Sequence, residues 1–288
     1  SMKLSAIDIG SNSVRLLMWA DGRSLYKKIH TTRLGEGLVR TGTLSSAAMQ
    51  RTAEAVASFF AQAKEEGASR VYAFATAAVR RASNGGEFCA LVRRLCGLDV
   101  RVLTGEEEAR VGLWGATEGR DGGIIDVGGA STEVTIGKGG EVIYAVSADV
   151  GAVKLKDACG EDRAALEKYI ADSLTVYGSV PRSRMYAIGG TATSLCALEY
   201  GVEPYDPAVI DGKTLSLSAV YGWADKLLSM RQEERLALKG MDKSRADILG
   251  GGALLLGSVM RLIGAEEVIV SEKDNLEGFV SAMRGGLL

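Results

Sequence analysis

The sequence predicts an α/β fold of two mixed sheets flanked by helices, arranged as two lobes with a cleft between them. Three observations carry this. The stretch "AIDIGSNSVRLLMWADGRSLY" (Ala6 to Tyr26) returns without a gap as "IIDVGGASTEVTIGKGGEVIY" (Ile124 to Tyr144), 118 positions later. The copies align Asp8 with Asp126, Gly10 with Gly128, Ser13 with Ser131 and Gly22 with Gly140. A weaker echo pairs "VYAFATAA" from Val71 with "MYAIGGTA" from Met185, at an offset of 114. Finally, 288 residues with 47% hydrophobic and 24% charged content suit two domains, each able to bury its own core.

The elements follow in order. Lys3 to Asp8 reads as a buried strand and Val14 to Trp19 as a second, and Asp21-Gly22 as a tight turn into a third near Leu25 to Ile29. The later copy parses alike, with Gly139-Gly140 at its turn. Between them, "SSAAMQRTAEAVASFFAQAKEEG" has helical periodicity, a serine start and a stop at Gly67. "RVYAFATAAVR" is strand then loop, Glu87 to Cys96 a helix, "DVRVLT" a strand and "GEEEARVGLWGAT" a helix. Late in the chain, "SRADILGGGALLLGSVMRLIG" predicts an apolar helix leading into the strand "EEVIVS". The expected lobes are residues 1–120 and 121–288, divided near Arg120-Asp121-Gly122, with the helix at 279–288 packing back on the first lobe.

Composition narrows the function. A net charge of −2 and a pI near 5.7 argue against non-specific duplex binding, so no nucleic-acid partner is expected and any polyanion must be held locally. Cys89, Cys96, Cys159 and Cys196 form no CxxC pair, and His30 is the only histidine, which leaves no structural zinc set. No apolar run is long enough for a membrane span, so the expected location is the cytoplasm. Ser1 ahead of Met2 reads as a remnant of tag removal, and a homodimer stays open at this stage.

The chemistry gathers in glycine turns. Gly10, Ser11, Asn12 and Ser13 follow one strand-terminal aspartate, and Gly128, Gly129, Ala130 and Ser131 follow the other. Glycines let backbone N–H groups approach an anion and hydroxyls add donors, so two such turns from two lobes suit one phosphate-bearing ligand. Gly189, Gly190 and Thr191 form a third turn, between a strand and a helix, where phosphate can meet a helix N-terminus. Ionised Asp8 and Asp126 at the ends of apolar strands need a counter-charge, for which Mg²⁺ is the natural oxygen-liganded ion, and Glu133 is a third candidate carboxylate. Its counterpart in the first copy is Arg15. Thr104 and Glu107 predict a capping box, and helix phase alone does not choose among Glu106, Glu107 and Glu108 for a role in the cleft. Arg80, next to a glycine loop, could neutralise phosphate oxygens by paired hydrogen bonds.

Taken in order, "AIDIGSNSVRLL", "RLGEGL", "ATAAVRRASN", "LTGEEEAR", "IIDVGGASTE", "AIGGTATS" and "VSEKDNLEGF" resemble the exopolyphosphatase and guanosine pentaphosphate phosphohydrolase (Ppx/GppA) family, of the actin-like ATPase superfamily, across nearly the whole chain. The resemblance implies two ribonuclease-H-like lobes, Mg²⁺ as cofactor and release of terminal phosphate from a phosphoanhydride chain. It implies Glu108 as catalytic base, Asp126 and Glu133 as metal ligands, and Asp8, Arg80 and the first two glycine turns in metal or phosphate binding. Inorganic polyphosphate is the leading substrate, with guanosine pentaphosphate or a short oligophosphate second; a kinase and a non-catalytic nucleotide-binding regulator remain as rivals. Two departures stand out. Ala130 replaces a common glycine and would be strained if its φ were positive. Asp274-Asn275-Leu276-Glu277-Gly278 lacks an arginine common near that point. The resemblance is to the short, two-lobed subgroup.

Overall fold

The computed structural model describes residues 2–288; Ser1 lies outside the described residues. A five-stranded sheet has the order β3-β2-β1-β4-β5, built from β1 (Lys3–Ile9), β2 (Ser13–Ala20), β3 (Arg23–Thr31), β4 (Arg70–Ala75) and β5 (Val100–Val102). A six-stranded sheet follows from β6 (Gly122–Val127), β7 (Thr132–Lys138), β8 (Glu141–Ala148), β9 (Met185–Ile188), β10 (Thr214–Ser216) and β11 (Glu267–Val270). Its order, β10-β11-β9-β6-β7-β8, is the first sheet's order repeated, with β10 added at the edge. These are two ribonuclease-H-like sheets, each mixed and each flanked by helices.

The duplication extends to geometry that residue identity does not show. Asp21 and Gly22 have φ of 52° and 85°, and Gly139 and Gly140 have 62° and 80°, the positive pair that a tight hairpin turn requires. Both hairpins carry a register shift at the same place, Met18/Trp19 and Ile136/Gly137, again 118 apart. Such a bulge adds local twist and re-aims the strand end. The weaker echo is also real, since Phe74 sits beside Asp8 and Ile188 beside Asp126 in the parallel pairings.

Each lobe has its own core. In the first, α1 (Ser46–Glu65, capped by the Ser45 hydroxyl) and α2 (Gly85–Cys96) cover one sheet face through residues such as Val56, Phe59, Phe88 and Val92. In the second, α4 (Gly190–Tyr200) and the apolar α5 (Leu249–Ile263) bury Leu195, Leu255 and Val259 with the sheet. Between these, α3 (Gly105–Thr117) and α6 (Asn275–Arg284) exchange places. Helix α3 follows the first sheet in the chain, yet its Leu113 and Ala116 pack on Ile124 and Ile188 of the second. Helix α6 ends the chain, yet its Leu276, Phe279 and Val280 pack with Leu4, Leu17 and Phe74 of the first. We propose lobes 1–120 and 121–288 in chain order, with these two helices crossing between them.

The crossing is close because glycines line it. A Cβ on Gly115 would lie 1.9 Å from the Asp274 carbonyl oxygen, and one on Gly278 would lie 1.8 Å from that of Val111. Each fully buried apolar side chain in this seam contributes about 1.5–3 kcal/mol. Across the mouth of the cleft the lobes are joined instead by half-exposed pairs, Arg33–Asp247 and Arg81–Asp149, worth about 1 kcal/mol or less apiece. The base is therefore the strong joint and the mouth the weak one. Gly278→Ala is expected to cost at least about 2 kcal/mol in chemical unfolding, while Gly222→Ala, at an exposed position of the helix Leu217–Ser229 with open space around it, should stabilise by about 0.5–1 kcal/mol. Equal effects at the two positions would contradict the close-crossing account.

Candidate functional site

The two hairpins bring their glycine turns together at a narrow cleft of about 90 Å³, lined by Gly10 to Ser13, Gly128 to Ser131, Gly189 and Gly190. Each turn closes on itself alike, Gly10 N donating to Ser13 O at 3.0 Å and Gly128 N to Ser131 O at 2.9 Å. The turns touch across the cleft, where a Cβ on Gly129 would lie 2.6 Å from Ser11 Cβ. Ala130 is not among the residues with positive φ, so its methyl group brings no backbone strain; its carbonyl accepts from Arg81. The "RLGEGL" loop supports the first turn, with Gly35 N donating to Ser11 O and Arg33 N to Asn12 O. Thr191 is buried behind the third turn, against Gly252, and is not part of the cleft wall.

Charge separates the two copies. Directly opposed residues of an antiparallel pair project from the same face, and the register opposes Asp8 with Arg15 but Asp126 with Glu133. Arg15 donates to Asp8 at 2.6 Å and to Asp274 at 2.5 Å, so the first lobe's carboxylate has its cation within the protein. In the second lobe two acids face each other, and Glu108 completes a group whose ligand oxygens all lie within 4.8 Å of one another. All three are buried, and one oxygen of Glu133 has no hydrogen-bond partner among the described residues; the other accepts from Ser147 on β8. Asp8 lies outside this group.

The capping box settles which acid of the 106–108 run enters the cleft. Thr104 Oγ1 accepts from Glu107 N at 3.1 Å, and Glu107 accepts from Thr104 N at 3.0 Å. With Glu107 spent on the cap, Glu106 faces solvent and Glu108, a further 100° round the helix, turns inward and is 5% exposed. Arg80 does not line the cleft; it donates to Glu108 at 3.1 Å and to the Leu103 carbonyl at 2.7 Å. Burial, reinforced by Glu133 and Asp126, pushes Glu108 well above the usual carboxylate range. Burial and Glu133 do the same to Asp126. Burial also raises Asp274, but Arg15 and Lys27 outweigh it and hold that carboxyl well below its ordinary value. A buried oxygen-only donor set in which Arg80 pairs with Glu108 but Asp126 and Glu133 have no ion-pair partner among the described residues matches a hard divalent ion such as Mg²⁺.

Three residues at the cleft were not picked out as site residues from sequence. Asp274 caps α6 through Leu276 N at 3.0 Å and pairs with Glu277 in a capping box, a D-x-x-E signal that could have marked it. Asn275 places its amide 3.5 Å from Asp126, leaving its oxygen unpartnered. Arg245 lies over Gly190 and has no sequence signal. Leu276, at the position of the missing arginine, is fully buried in the seam between the lobes. Arg284 stacks on Trp19.

Comparison with known proteins places this geometry. A family model described as the Ppx/GppA phosphatase family matches residues 20–284. The chain belongs to that family. It is 29% identical to "Exopolyphosphatase 2" of Mycobacterium tuberculosis, over 98% of this chain and 99% of that one. A solved Ppx/GppA family member from Aquifex aeolicus superposes with a TM-score of 0.80 at 29% identity, covering 99% of this chain and 98% of that one. A crystal structure titled an exopolyphosphatase-like protein gives 0.91 at 27%, covering 100% of both.

A stability test follows from the acidic group. Carboxyls whose folded pKa is raised stabilise the fold when protonated, below their unfolded value of about 4, and that contribution is lost as pH rises through the folded value. The metal-free protein should therefore lose melting temperature as pH rises above the ordinary carboxylate range, and Mg²⁺ should restore it more at the higher pH. Asp126→Asn should flatten the metal-free profile and remove the Mg²⁺ response. A profile unchanged by that substitution would contradict the assignment.

Proposed function

We propose that this chain is a Mg²⁺-dependent phosphoanhydride hydrolase that releases terminal orthophosphate from inorganic polyphosphate. The observation that carries this reading is the set Glu108, Asp126 and Glu133, three buried carboxylates of which Glu108 and Asp126 line the cleft where two glycine turns face each other and Glu133 stands directly behind Asp126. The family and the names of its relatives support it.

Asp126 and Glu133 are the ligands for the ion, and Asp8 is instead the anchor that fixes Arg15. Bound Mg²⁺ would supply positive charge to offset the phosphate oxygens. The backbone N–H groups of the two turns and the hydroxyls of Ser11, Ser13 and Ser131 hold the terminal phosphoryl group in line with a water molecule. Glu108 takes a proton from that water; burial lifts its proton affinity toward that needed by a base working near neutral pH. Arg80 orients Glu108 from behind. Positioning and electrostatics supply most of the rate gain in such a transfer.

A second reading is favoured by a cavity of about 1200 Å³ that adjoins the cleft and shares Arg15, Gly189, Gly190, Arg245 and Asp274 with it. Its basic side chains are matched one for one by acidic ones, and Trp114, Tyr205 and Met241 add apolar surface. Such a wall suits a short oligophosphate or a phosphorylated guanosine nucleotide better than a long polyanion.

Phosphate release in Mg²⁺ across polyphosphates of several lengths, guanosine pentaphosphate and ATP tests both. Glu108→Gln should lower kcat by roughly 10²–10⁴-fold with KM little changed. Unchanged turnover would remove Glu108 from the mechanism. A salt sensitivity that steepens with chain length supports the polymer, and a flat one supports the short substrate.

A further inference from the structure

The doubled hairpins end in two edge strands, β3 of the first sheet and β8 of the second. An edge strand offers unpaired N–H and C=O groups, and lysines along it deter pairing with another chain. At the 118-residue offset the copies differ in this respect. Arg23, Lys27 and Lys28 of β3 stand where β8 has Glu141, Ala145 and Val146. Outside its ladder with β7, β8 takes part in one backbone hydrogen bond among the described residues, from Val150 N to the Ala148 carbonyl. Its outer edge carries no neighbouring strand.

Lys27 also shows what its loss opens. In the first lobe it reaches from β3 to α6, pairing with Glu277 at 2.8 Å and donating to the Glu272 carbonyl at 2.5 Å, and Ser24 donates to Glu277 at 2.8 Å. Those bonds tie the edge strand to the helix beside it. In the second lobe α3 stands beside β8, with Leu113 against Val142 and Gly105 against Ser147. The counterparts of Lys27 and Ser24 there are Ala145 and Val142, which have no polar side-chain atom to reach a helix. A groove of about 610 Å³ remains, with β8 as its floor and α3 as its one wall. Arg110 lines it, with Nε buried and without a hydrogen-bond partner. Glu106 and Glu141 line it too, both exposed, and among the described residues none of these three charges makes an ion pair. Between them Ile143 is 48% exposed.

We propose that this groove seats a second copy of the chain, the two β8 strands pairing antiparallel about a two-fold axis so that the second-lobe sheets join into one. The α3 helix of the second copy then supplies the missing wall. A two-fold contact brings the same patch from both sides, so the patch must complement itself. A surface that holds a cation and two acids, all unpaired within the chain, around an apolar centre meets that condition, because each Arg110 finds the acids of the other copy. Lys27 and Lys28 close β3 to the same pairing, and a two-fold contact used once leaves no further edge, so assembly stops at two copies.

The test compares the two copies of the hairpin within one molecule. Analytical ultracentrifugation from about 1 to about 100 μM measures the dimer dissociation constant of wild type, Ala145→Lys, Ile143→Lys and Leu25→Lys, with circular dichroism melts to confirm folding. Wild type should sediment as a dimer. Ala145→Lys, which gives β8 the lysine that β3 carries, should raise the dissociation constant at least about 10-fold, and Ile143→Lys should do the same. Leu25→Lys, at the matched exposed position of β3, should leave it within about twofold. Should Ala145→Lys fail to fold, Ile143→Lys against Leu25→Lys decides. Hydrogen exchange reads the contact without any substitution, since the β8 amides should gain protection as wild type is concentrated. A monomer at every concentration overturns the inference. So does a dimer that the β8 variants leave intact, one that Leu25→Lys weakens equally, or one whose β8 amides exchange alike at all concentrations.

Discussion

The structure turns on one uncompensated charge. At matched positions of two copies of one hairpin, the first lobe sets an aspartate against an arginine and the second sets an aspartate against a glutamate. Taking an ionised carboxylate out of water costs several kcal/mol even after relaxation, and Arg15 offsets part of that cost for Asp8, whose pKa burial still raises. For Asp126 and Glu133 no side chain does so, and Glu108 adds a third acid to the group. A fold stable by about 5–15 kcal/mol in all does not carry such a group without a use for it. Natural compensation is a cation brought from solvent, and the polar side of the cleft then offers N–H groups and hydroxyls to an anion.

The rest of the architecture keeps that arrangement in place while leaving its entrance free. Exchange of α3 and α6 between the sheets buries an apolar seam directly behind the site, and the start of each helix delivers a site residue, Glu108 from one and Asn275 from the other. Because the helices cross at glycines, neither can shift far along the other without a clash. The contacts that close the mouth are partly exposed ion pairs. Rigidity at the base fixes the reacting groups, and weakness at the rim admits the ligand.

Much of this was legible in the sequence, and the reason is locality. Hairpin turns need residues that tolerate positive φ, and Asp21-Gly22 and Gly139-Gly140 announce them without reference to the rest of the chain. Gapless spacing carried the doubled sheet, while the paired bulges, which no residue identity signals, appear only in the structure. The site was less legible wherever it depends on partners far along the chain. The repeat sets Arg15 against Glu133 in sequence, but it takes the strand register to pair Arg15 with Asp8 and to set Glu133 against Asp126. The capping box was readable in sequence but left Glu106 and Glu108 open, and only the structure shows Glu106 exposed and Glu108 buried. Asp274, Asn275 and Arg245 reach the cleft from the last fifth of the chain, where folding brings the first two beside residues more than a hundred positions earlier and Arg245 over Gly190. The methyl of Ala130 looked costly in sequence and proves harmless, because its backbone does not take the left-handed conformation.

The most direct test of this account is the position of a bound divalent ion. Manganese, which substitutes for magnesium at oxygen sites and scatters anomalously, can be located in crystals of wild type, Asp8→Asn and Glu133→Gln. One ion between the Asp126 and Glu133 carboxylates, retained in Asp8→Asn and absent from Glu133→Gln, is the predicted result. An ion ligated by Asp8, or one that survives the loss of the Glu133 charge, would contradict it.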